Sequence, residues 1–346
     1  MDFDFLNNSY PIEIKKKYNR LLRKVQTESK PEYCILCGSR ATSFCNSHSV
    51  PRLVLKKIAN EGVLLQSNSL FGLDLVDVEK GVNNSGTFHI ICKECDNKFF
   101  RDYEDLDKLK STPDDIMLAE IALKDALLQY SKRIIEIKAY QELQQKQSMF
   151  ENPEALFQIQ ELDIRDYKEE IQFYKNIIEK KINNGFQILY WNKLPYKTPI
   201  AVQSAIALPK DYDGYSVNDN FDMSEDTRME DMHICVFPMD SETIVLAFYH
   251  KRDTKYRKLR HQLNSISDKK KIEYLNWVII KYTENYYLSK TILNVLNNEK
   301  LQELSKDNND FPNMGFVSLD TIIEGYDPIC KEEIPILLDE KYAIKE

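Results

Sequence analysis

Two Cys-x-x-Cys pairs constrain this chain more than any other feature of its sequence. The first pair is Cys34 and Cys37, and the second pair is Cys92 and Cys95. Each pair presents two thiols at one tight turn, and four thiolates match the tetrahedral coordination of structural Zn²⁺. We therefore predict one structural zinc ion on these four residues, which would close segment 38–91 into a loop. The alternative is a set of four buried thiols without a metal.

The remaining cysteines and the N-terminus bear on the compartment. The chain has seven cysteines, an odd number, whereas a disulfide-stabilised scaffold would be shorter and would need an oxidising compartment. Cys45 is a competing zinc ligand, but it has no partner cysteine three residues away and is more typical of a buried side chain. The N-terminus lacks the basic start and apolar core of a secretory signal. No stretch approaches the roughly 20 apolar residues that span a bilayer. The expected location is the cytoplasm, with no membrane partner.

Length and charge limit the domain number and the classes of partner. A chain of 346 residues exceeds one ordinary core and predicts two or three domains. The hydrophobic fraction of 42% excludes wholesale disorder. With 47 basic and 55 acidic residues, the formal charge is -8. Any contact with nucleic acid must therefore come from a local basic patch.

Apolar spacing divides the chain into four regions. We predict a basic amphipathic helix in region 1–30 and a zinc module in region 31–111. Steps of three and four residues predict a helical hairpin over 112–185, which would pack within one subunit or form a dimer stalk. Short β-branched and aromatic runs predict an α+β partner- or substrate-recognition domain over 186–346, with a mostly antiparallel sheet. The predicted fold class is therefore α+β.

Residues near the cysteine pairs carry a resemblance to a known family. Ser47-His48-Ser49-Val50-Pro51-Arg52 lies between the pairs, and Asp96 follows the second pair at the expected start of a helix. This pattern resembles the HNH (ββα-metal) endonuclease superfamily, in particular its four-cysteine members such as the phage recombination endonuclease VII group, and uncharacterised bacterial HNH-like proteins. The resemblance covers region 31–111 and implies a zinc-stabilised, treble-clef-like ββα module.

The resemblance also implies roles for individual residues. His48 would be the general base that activates water, and Asp96 would bind a catalytic Mg²⁺ or Mn²⁺ separate from the zinc. Asn84 would orient the histidine, and Arg52 would approach the scissile phosphate.

One residue departs from the family pattern. Ser47 stands where the family usually supplies an acidic or histidine metal ligand, and a hydroxyl is a weak Mg²⁺ ligand. Either Asp96 works with another carboxylate, such as Asp102, or the site binds the catalytic cation poorly. Both residues have an alternative interpretation. His48 would bind the zinc ion or contact one of its ligands, and Asp96 would cap the start of the helix.

Two segments of opposite charge lie in the C-terminal region. Segment 251–260 is basic and interleaved with aromatic and histidine side chains, which is typical of a nucleic-acid-binding surface or of a solvated helix face. Its basic residues are Lys251, Arg252, Lys255, Arg257, Lys258 and Arg260. Segment 211–231 has eight acids and one basic residue, and we interpret it as a solvated loop or a partner-docking segment.

These observations lead to two function hypotheses from different classes. The first is a metal-dependent HNH-type endonuclease that hydrolyses DNA phosphodiester bonds, which by resemblance would serve anti-phage defence; nothing in the sequence separates DNA from RNA. The second is a non-catalytic, zinc-stabilised interaction or sensor protein in a larger complex, with a partner protein or a second copy of this chain. His48 and Asp96 favour the enzyme, whereas Ser47 favours the interaction protein.

Overall fold

The structure is a computed structural model that describes residues 12–41, 43–66, 79–146, 153–219, 222, 224–283, 285–295 and 335–345. Its helices are α1 (Ile12–Glu28), α2 (Arg52–Ile58), α3 (Lys93–Phe99), α4 (Leu106–Leu109), α5 (Asp115–Lys146), α6 (Pro153–Lys180), α7 (Tyr256–Asn264) and α8 (Asp268–Tyr282). Its strands are β1 (Ser47–His48), β2 (Val63–Gln66), β3 (Glu79–Gly81), β4 (Thr87–Phe88), β5 (Phe186–Leu194), β6 (Ile200–Ile206), β7 (Met232–Pro238), β8 (Thr243–His250) and β9 (Tyr286–Leu288). Single 3-10 turns occur at Val82–Asn84, Lys290–Asn294 and Glu340–Tyr342.

A large sheet organises the described part of the chain. Its strand order is β3-β2-β9-β6-β7-β8-β5, and each pair of neighbours is antiparallel. A second, smaller sheet pairs β1 with β4, also antiparallel. The predicted α+β class with a mostly antiparallel sheet is therefore confirmed.

The large sheet separates two hydrophobic cores. Successive side chains of a strand point to opposite faces, so the alternating residues of β7 and β8 belong to different cores. One core lies against α5 and α6 and includes Cys235, Phe237, Ile244, Leu246 and Phe248. The other core lies against α7 and α8 and includes Ile234, Val236, Val245, Ala247 and Tyr249. Both strands are almost wholly buried, as expected for a sheet covered on two faces.

The segment between the two cysteine pairs contributes to the large sheet. β2 pairs with β9 through Leu65 and Leu288, and β3 pairs with the other edge of β2. Two strands from region 31–111 are thus hydrogen-bonded into the sheet of region 186–346. The division of the chain into four regions remains a prediction. The large sheet takes its strands from two of these regions, 31–111 and 186–346.

A close backbone approach connects the small sheet to the large one. Gly86 has a φ of +61°, and a Cβ atom there would lie 1.9 Å from the Tyr287 hydroxyl. Ser49 and Tyr287 both donate hydrogen bonds to Asn285 Oδ1, at 3.0 and 2.7 Å. Only glycine fits this position, because it alone tolerates the left-handed backbone and leaves room for the tyrosine.

Helix α5 lies at the centre of the fold. Its residues from 117 to 128 are all buried, and it packs against α1, α6 and β6. Glu120, Lys124 and Asp125 are among these buried residues, and a buried charge needs internal partners. No helix among the described residues is long and apolar enough to cross a membrane.

Asp125 and Glu120 connect α5 to other elements. Asp125 accepts hydrogen bonds from Gln203 Nε2 at 3.0 Å and from His233 Nδ1 at 2.8 Å, which join α5 to β6 and β7. Glu120 Oε2 accepts the backbone N–H groups of Asp102 and Tyr103 at 2.9 and 2.8 Å. Burial raises the pKa of Glu120 to about 8, despite these two hydrogen bonds. Glu120 is therefore a source of pH-dependent stability.

Replacing Glu120 with glutamine is expected to stabilise the protein in alkaline solution. Because the folded-state pKa lies above that of an unfolded glutamate, the folded state binds more protons, and wild-type stability falls as pH rises from about 4.5 to about 8. The amide oxygen still accepts both N–H groups, so above pH 8 the variant should gain on the order of a few kcal/mol in the free energy of unfolding. Urea unfolding between pH 5 and 9 measures this, with Glu161→Gln as a control for an exposed carboxylate. Equal pH profiles for wild type and Glu120→Gln would contradict it.

Candidate metal centre

The four predicted zinc ligands come together. The sulfur atoms of Cys34, Cys37, Cys92 and Cys95 all lie within 4.8 Å of one another, and those of Cys37 and Cys92 are 3.9 Å apart. In a tetrahedral site with Zn–S bonds of about 2.3 Å, the sulfurs are about 3.8 Å apart. The predicted convergence of the two pairs is therefore confirmed, and the donor set fits a structural zinc ion.

Local backbone geometry turns each pair toward the other. Gly38 has a φ of +69°, and its N–H donates to the Cys34 carbonyl at 2.8 Å, which forms the tight turn of the first pair. The second pair lies at the start of α3, where the Cys92 N–H donates to Cys34 Sγ at 3.3 Å. A hydrogen bond from Ile35 N to Ile90 O, at 3.1 Å, holds the two segments side by side.

The thiols differ in how readily they ionise. Hydrogen bonds from the side chain and backbone of Ser39 lower the pKa of Cys37 to about 6. Burial raises the pKa of Cys95 far above its ordinary value. Because a zinc ligand must be a thiolate, the bound cation would supply the positive charge that Cys95 otherwise lacks.

A buried ion pair lies next to the cysteine cluster, at the residues that the resemblance assigns to the catalytic cation. Asp96 Oδ1 accepts hydrogen bonds from Ser47 Oγ at 2.7 Å and from Lys124 Nζ at 3.0 Å. Lys124 Nζ also donates to Ser47 Oγ at 2.9 Å. The other carboxylate oxygen, Oδ2, accepts from Cys45 Sγ at 3.3 Å. The Lys124 ammonium therefore binds both residues at the expected metal-ligand positions.

The surroundings of Lys124 enclose its charge completely. The lysine side chain is 0% exposed, whereas that of Asp96 is 15% exposed. The Lys124 ammonium lies 3.6 Å from the centroid of the Phe100 ring and 3.4 Å from Glu104 Oε1. Burial alone would raise the pKa of Asp96, but Lys124 and the hydrogen bonds from Ser47 and Cys45 outweigh it and hold that pKa below its ordinary value. Asp96 is thus an ionised carboxylate with an internal counter-ion.

This arrangement does not fit an additional Mg²⁺ or Mn²⁺ ion. Both oxygens of Asp96 have partners, and a dication bound there would lie against the buried ammonium of Lys124. Asp102, the alternative carboxylate from the sequence, forms its ion pair with Lys108 instead. The second carboxylate near Lys124 is that of Glu104, whose pKa is raised by burial.

His48 follows Ser47 in β1 and makes its contact elsewhere. Its Nε2 donates to the carbonyl of Val82 at 3.1 Å, whereas Ser47 bonds to Asp96 and Lys124. Nδ1 has no hydrogen-bond partner among the residues that the structure describes. Burial lowers the pKa of His48, so the ring is neutral at pH 7. The histidine is therefore chemically suited to accept a proton at Nδ1.

Arg52 and Asn84 lie near His48, but their contacts differ from those implied by the resemblance. Arg52 donates twice to Asn83 Oδ1, at 2.9 and 2.5 Å, and Asn46 Nδ2 donates to the Asn83 carbonyl at 2.7 Å. Asn84 is exposed in the same 3-10 turn, and the backbone of Val82 rather than Asn84 holds the histidine ring.

The basic segment 251–260 divides between the interior and the surface. Arg252 lies 3.7 Å from the centroid of the Phe173 ring and donates to Glu170 at 3.1 Å, so it belongs to a partly buried network. Lys251 is exposed and donates to the Asn184 carbonyl at 2.8 Å. The exposed members also include Lys255, Arg257 and Lys258, and Arg260 is half-buried. The Arg252 guanidinium is thus engaged internally. The assignment of all six residues to nucleic-acid binding remains a prediction.

Two charged residues of this centre were not identified from the sequence. Lys124 and Glu104 lie outside the pattern of the resemblance, so neither was assigned a role. A signal for Lys124 is present, since Lys124 and Asp125 interrupt an otherwise apolar stretch of α5. Charges inside a buried helix require partners of opposite charge. The position of Lys124 therefore indicates an acidic partner from another part of the chain.

Comparison with family models, with curated proteins and with solved structures finds no match for this chain.

Proposed function

We propose that this chain is a non-catalytic, zinc-stabilised interaction protein, and that Lys124 takes the place of the catalytic cation in an HNH-like module. The observation that supports this proposal is the position of the Lys124 ammonium, 2.9 Å from Ser47 Oγ and 3.0 Å from Asp96 Oδ1. In the family pattern, these two positions supply ligands to the cation. A lysine with three N–H donors satisfies the same oxygens without a metal.

The order of elements supports the assignment of an HNH-like ββα module. β1 carries the Ser-His pair and is antiparallel to β4, and α3 follows β4 directly and carries Asp96. Segment 49–86, with α2, β2 and β3, would then be an insertion between the two strands of the module. The four cysteines would hold the base of the module together, as structural zinc sites do.

Burial of Lys124 is the reason for preferring binding over hydrolysis. A substrate phosphate needs direct access to the charge that stabilises its transition state. The ammonium is 0% exposed and surrounded by Phe100, Glu104 and Asp96, so it offers no such access. What remains accessible is the polar surface of His48, Arg52 and Asn83, which could contact a ligand without cleaving it.

A metal-dependent endonuclease is the second candidate. The state of His48 favours it, because a neutral imidazole is a competent general base when its Nδ1 is unoccupied, and Nδ1 has no hydrogen-bond partner in the described ranges. This function would require Lys124 to leave Asp96 before a cation could bind. The two candidates therefore differ in whether the wild-type chain binds Mn²⁺ in addition to zinc.

Direct Mn²⁺ binding and plasmid nicking distinguish these candidates. For zinc-loaded wild type we expect no Mn²⁺ binding by electron paramagnetic resonance, and no nicking above that of His48→Ala in Mg²⁺ or Mn²⁺. The double variant Ser47→Asp with Lys124→Ala puts a second carboxylate beside Asp96 and removes the ammonium. We expect this variant to acquire an Mn²⁺ site. Wild-type nicking that is lost in both His48→Ala and Asp96→Asn would contradict the proposal and support the nuclease.

A further inference from the structure

Helix α7 has one buried side and two basic sides that differ in their contacts. Tyr256, Leu259 and Leu263 are buried, at the spacing of three and four residues that defines one face of a helix. The Tyr256 hydroxyl oxygen lies 3.0 and 2.7 Å from the carbonyl oxygens of Ile206 and Glu230, which share its single hydrogen as acceptors. The helix is therefore fixed on the large sheet, and its charged residues have defined directions.

The lysine side of α7 faces the acidic segment 211–231. Lys258 Nζ lies 3.9 Å from Asp211 Oδ2 and 2.9 Å from the centroid of the Tyr215 ring. One turn later, Gln262 Nε2 donates to Asp211 at 2.9 Å and to Asp213 at 2.8 Å. The acidic segment thus supplies internal acceptors along this side of the helix.

The same acidic segment contacts the start of the helix. Glu230 Oε2 accepts the backbone N–H of Lys255 at 2.8 Å, and Lys255 Nζ lies 3.5 Å from Asn218 Oδ1. The first contact brings the Glu230 carboxylate to the helix N-terminus, where the helix dipole favours negative charge. The sequence predicted a solvated loop or a partner-docking segment here, whereas part of the segment binds this chain's own basic helix.

The arginine side of α7 has no such partner. Arg257 and Arg260 are three residues apart and therefore neighbours on the helix surface. Neither guanidinium forms a hydrogen bond or ion pair within the described part of the chain, and exposed His261 follows them. In a protein of formal charge -8, two arginines on one helix side, without a partner among the described residues, form a local exception to the overall charge.

We propose that Arg257 and Arg260 bind the phosphate backbone of DNA, and that the acidic segment, through Asp211, competes with DNA for the adjacent Lys258. Guanidinium groups bind phosphate oxygens strongly, and each neutralised phosphate releases counter-ions from the DNA. Lys258 is 52% exposed, so removal of the negative charge of Asp211 would make the Lys258 ammonium available to a third phosphate. This proposal is independent of whether the Asp96 site binds a cation.

Salt-dependent binding of the zinc-loaded, 346-residue chain to a fluorescent DNA duplex tests the arginine contacts. Arg257→Glu with Arg260→Glu should weaken binding and reduce the slope of log affinity against log salt by about two. The matched control is Lys269→Glu with Lys270→Glu, which makes the same change in net charge at exposed positions of α8. The control should leave the slope unchanged.

Charge removal from the acidic segment tests the competition. Asparagine at 211 keeps the Oδ1 acceptor for the N–H groups of Asp213 and Tyr215, so the local turn is retained. Asp211→Asn with Asp213→Asn should tighten DNA binding and increase the salt slope by about one, and the increase should vanish when Lys258→Ala is added.

Three outcomes would overturn the proposal. The first is equal weakening by the α7 and α8 double variants, which would indicate a general effect of charge. The second is no measurable DNA binding by either wild type or the Asp211/Asp213 variant. The third is binding of a phosphorylated peptide, but not of DNA, that depends on Arg257 and Arg260, because the partner would then be a protein.

Discussion

Serine in place of both Cys92 and Cys95 is expected to abolish zinc binding and to unfold the region around β1, β4 and α3. A structural zinc site contributes on the order of 10 kcal/mol or more of apparent binding free energy, which is comparable to the stability of a whole domain. The two cysteine pairs come from segments far apart in sequence, and the metal would be a direct link between those segments. Elemental analysis should give about one zinc per wild-type chain and less than a tenth of that for the variant.

Cys45→Ser is the matched control for this experiment. Cys45 lies outside the four-sulfur cluster and donates to Asp96 instead, so the control should keep its full zinc content. Circular dichroism of wild type in a strong chelator should resemble that of the double variant. Undiminished zinc in Cys92→Ser alone would contradict the assignment of these four ligands.

Lys124→Met is expected to lower the free energy of unfolding by about 3–5 kcal/mol. The substitution keeps most of the side-chain volume but leaves the Asp96 carboxylate largely buried without its counter-ion. The hydrogen bond from Lys124 to Ser47 is lost as well. Urea unfolding of the zinc-loaded protein at pH 7 measures this effect.

A double-mutant cycle separates loss of the ion pair from loss of packing. Adding Asp96→Asn to Lys124→Met removes the unpaired charge, and we expect at least half of the lost stability to return. The amide oxygen can still accept the hydrogen bond from Ser47. Additive effects of the two substitutions would show that Lys124 and Asp96 do not interact energetically.

Features with local spacing were predictable from the sequence, because their cause lies within a few residues. The two Cys-x-x-Cys pairs predicted a four-sulfur cluster, and the structure brings these sulfurs together. Likewise, the β-branched runs after residue 185 predicted strands, and the antiparallel sheet confirms them. Spacing specifies which residues share a turn or a face, and these two cases required no more than that.

Features that depend on distant partners could not be predicted in this way. The neighbours of Lys124 come from β1, from α3 and from the segment that follows α3. Arg252 lies in a basic segment that is typical of a protein surface. Its guanidinium nevertheless contacts Glu170 of α6 and the Phe173 ring and is partly buried. Nothing in the local sequence of either residue identifies these contacts, because the chain segments that supply them meet only in the folded protein.

The pairing of β2 with β9 has a consequence for the synthesis of this chain on the ribosome. Leu65 emerges early, but its partner Leu288 emerges only when most of the chain has been made. Until then the β2–β3 pair lacks β9, its neighbour in the sheet, and an unpaired strand edge is prone to wrong pairing. Zinc capture needs only the residues up to Cys95, so it can occur much earlier. Early metal binding would hold the ends of segment 38–91 together until β9 has been synthesised and can pair with β2.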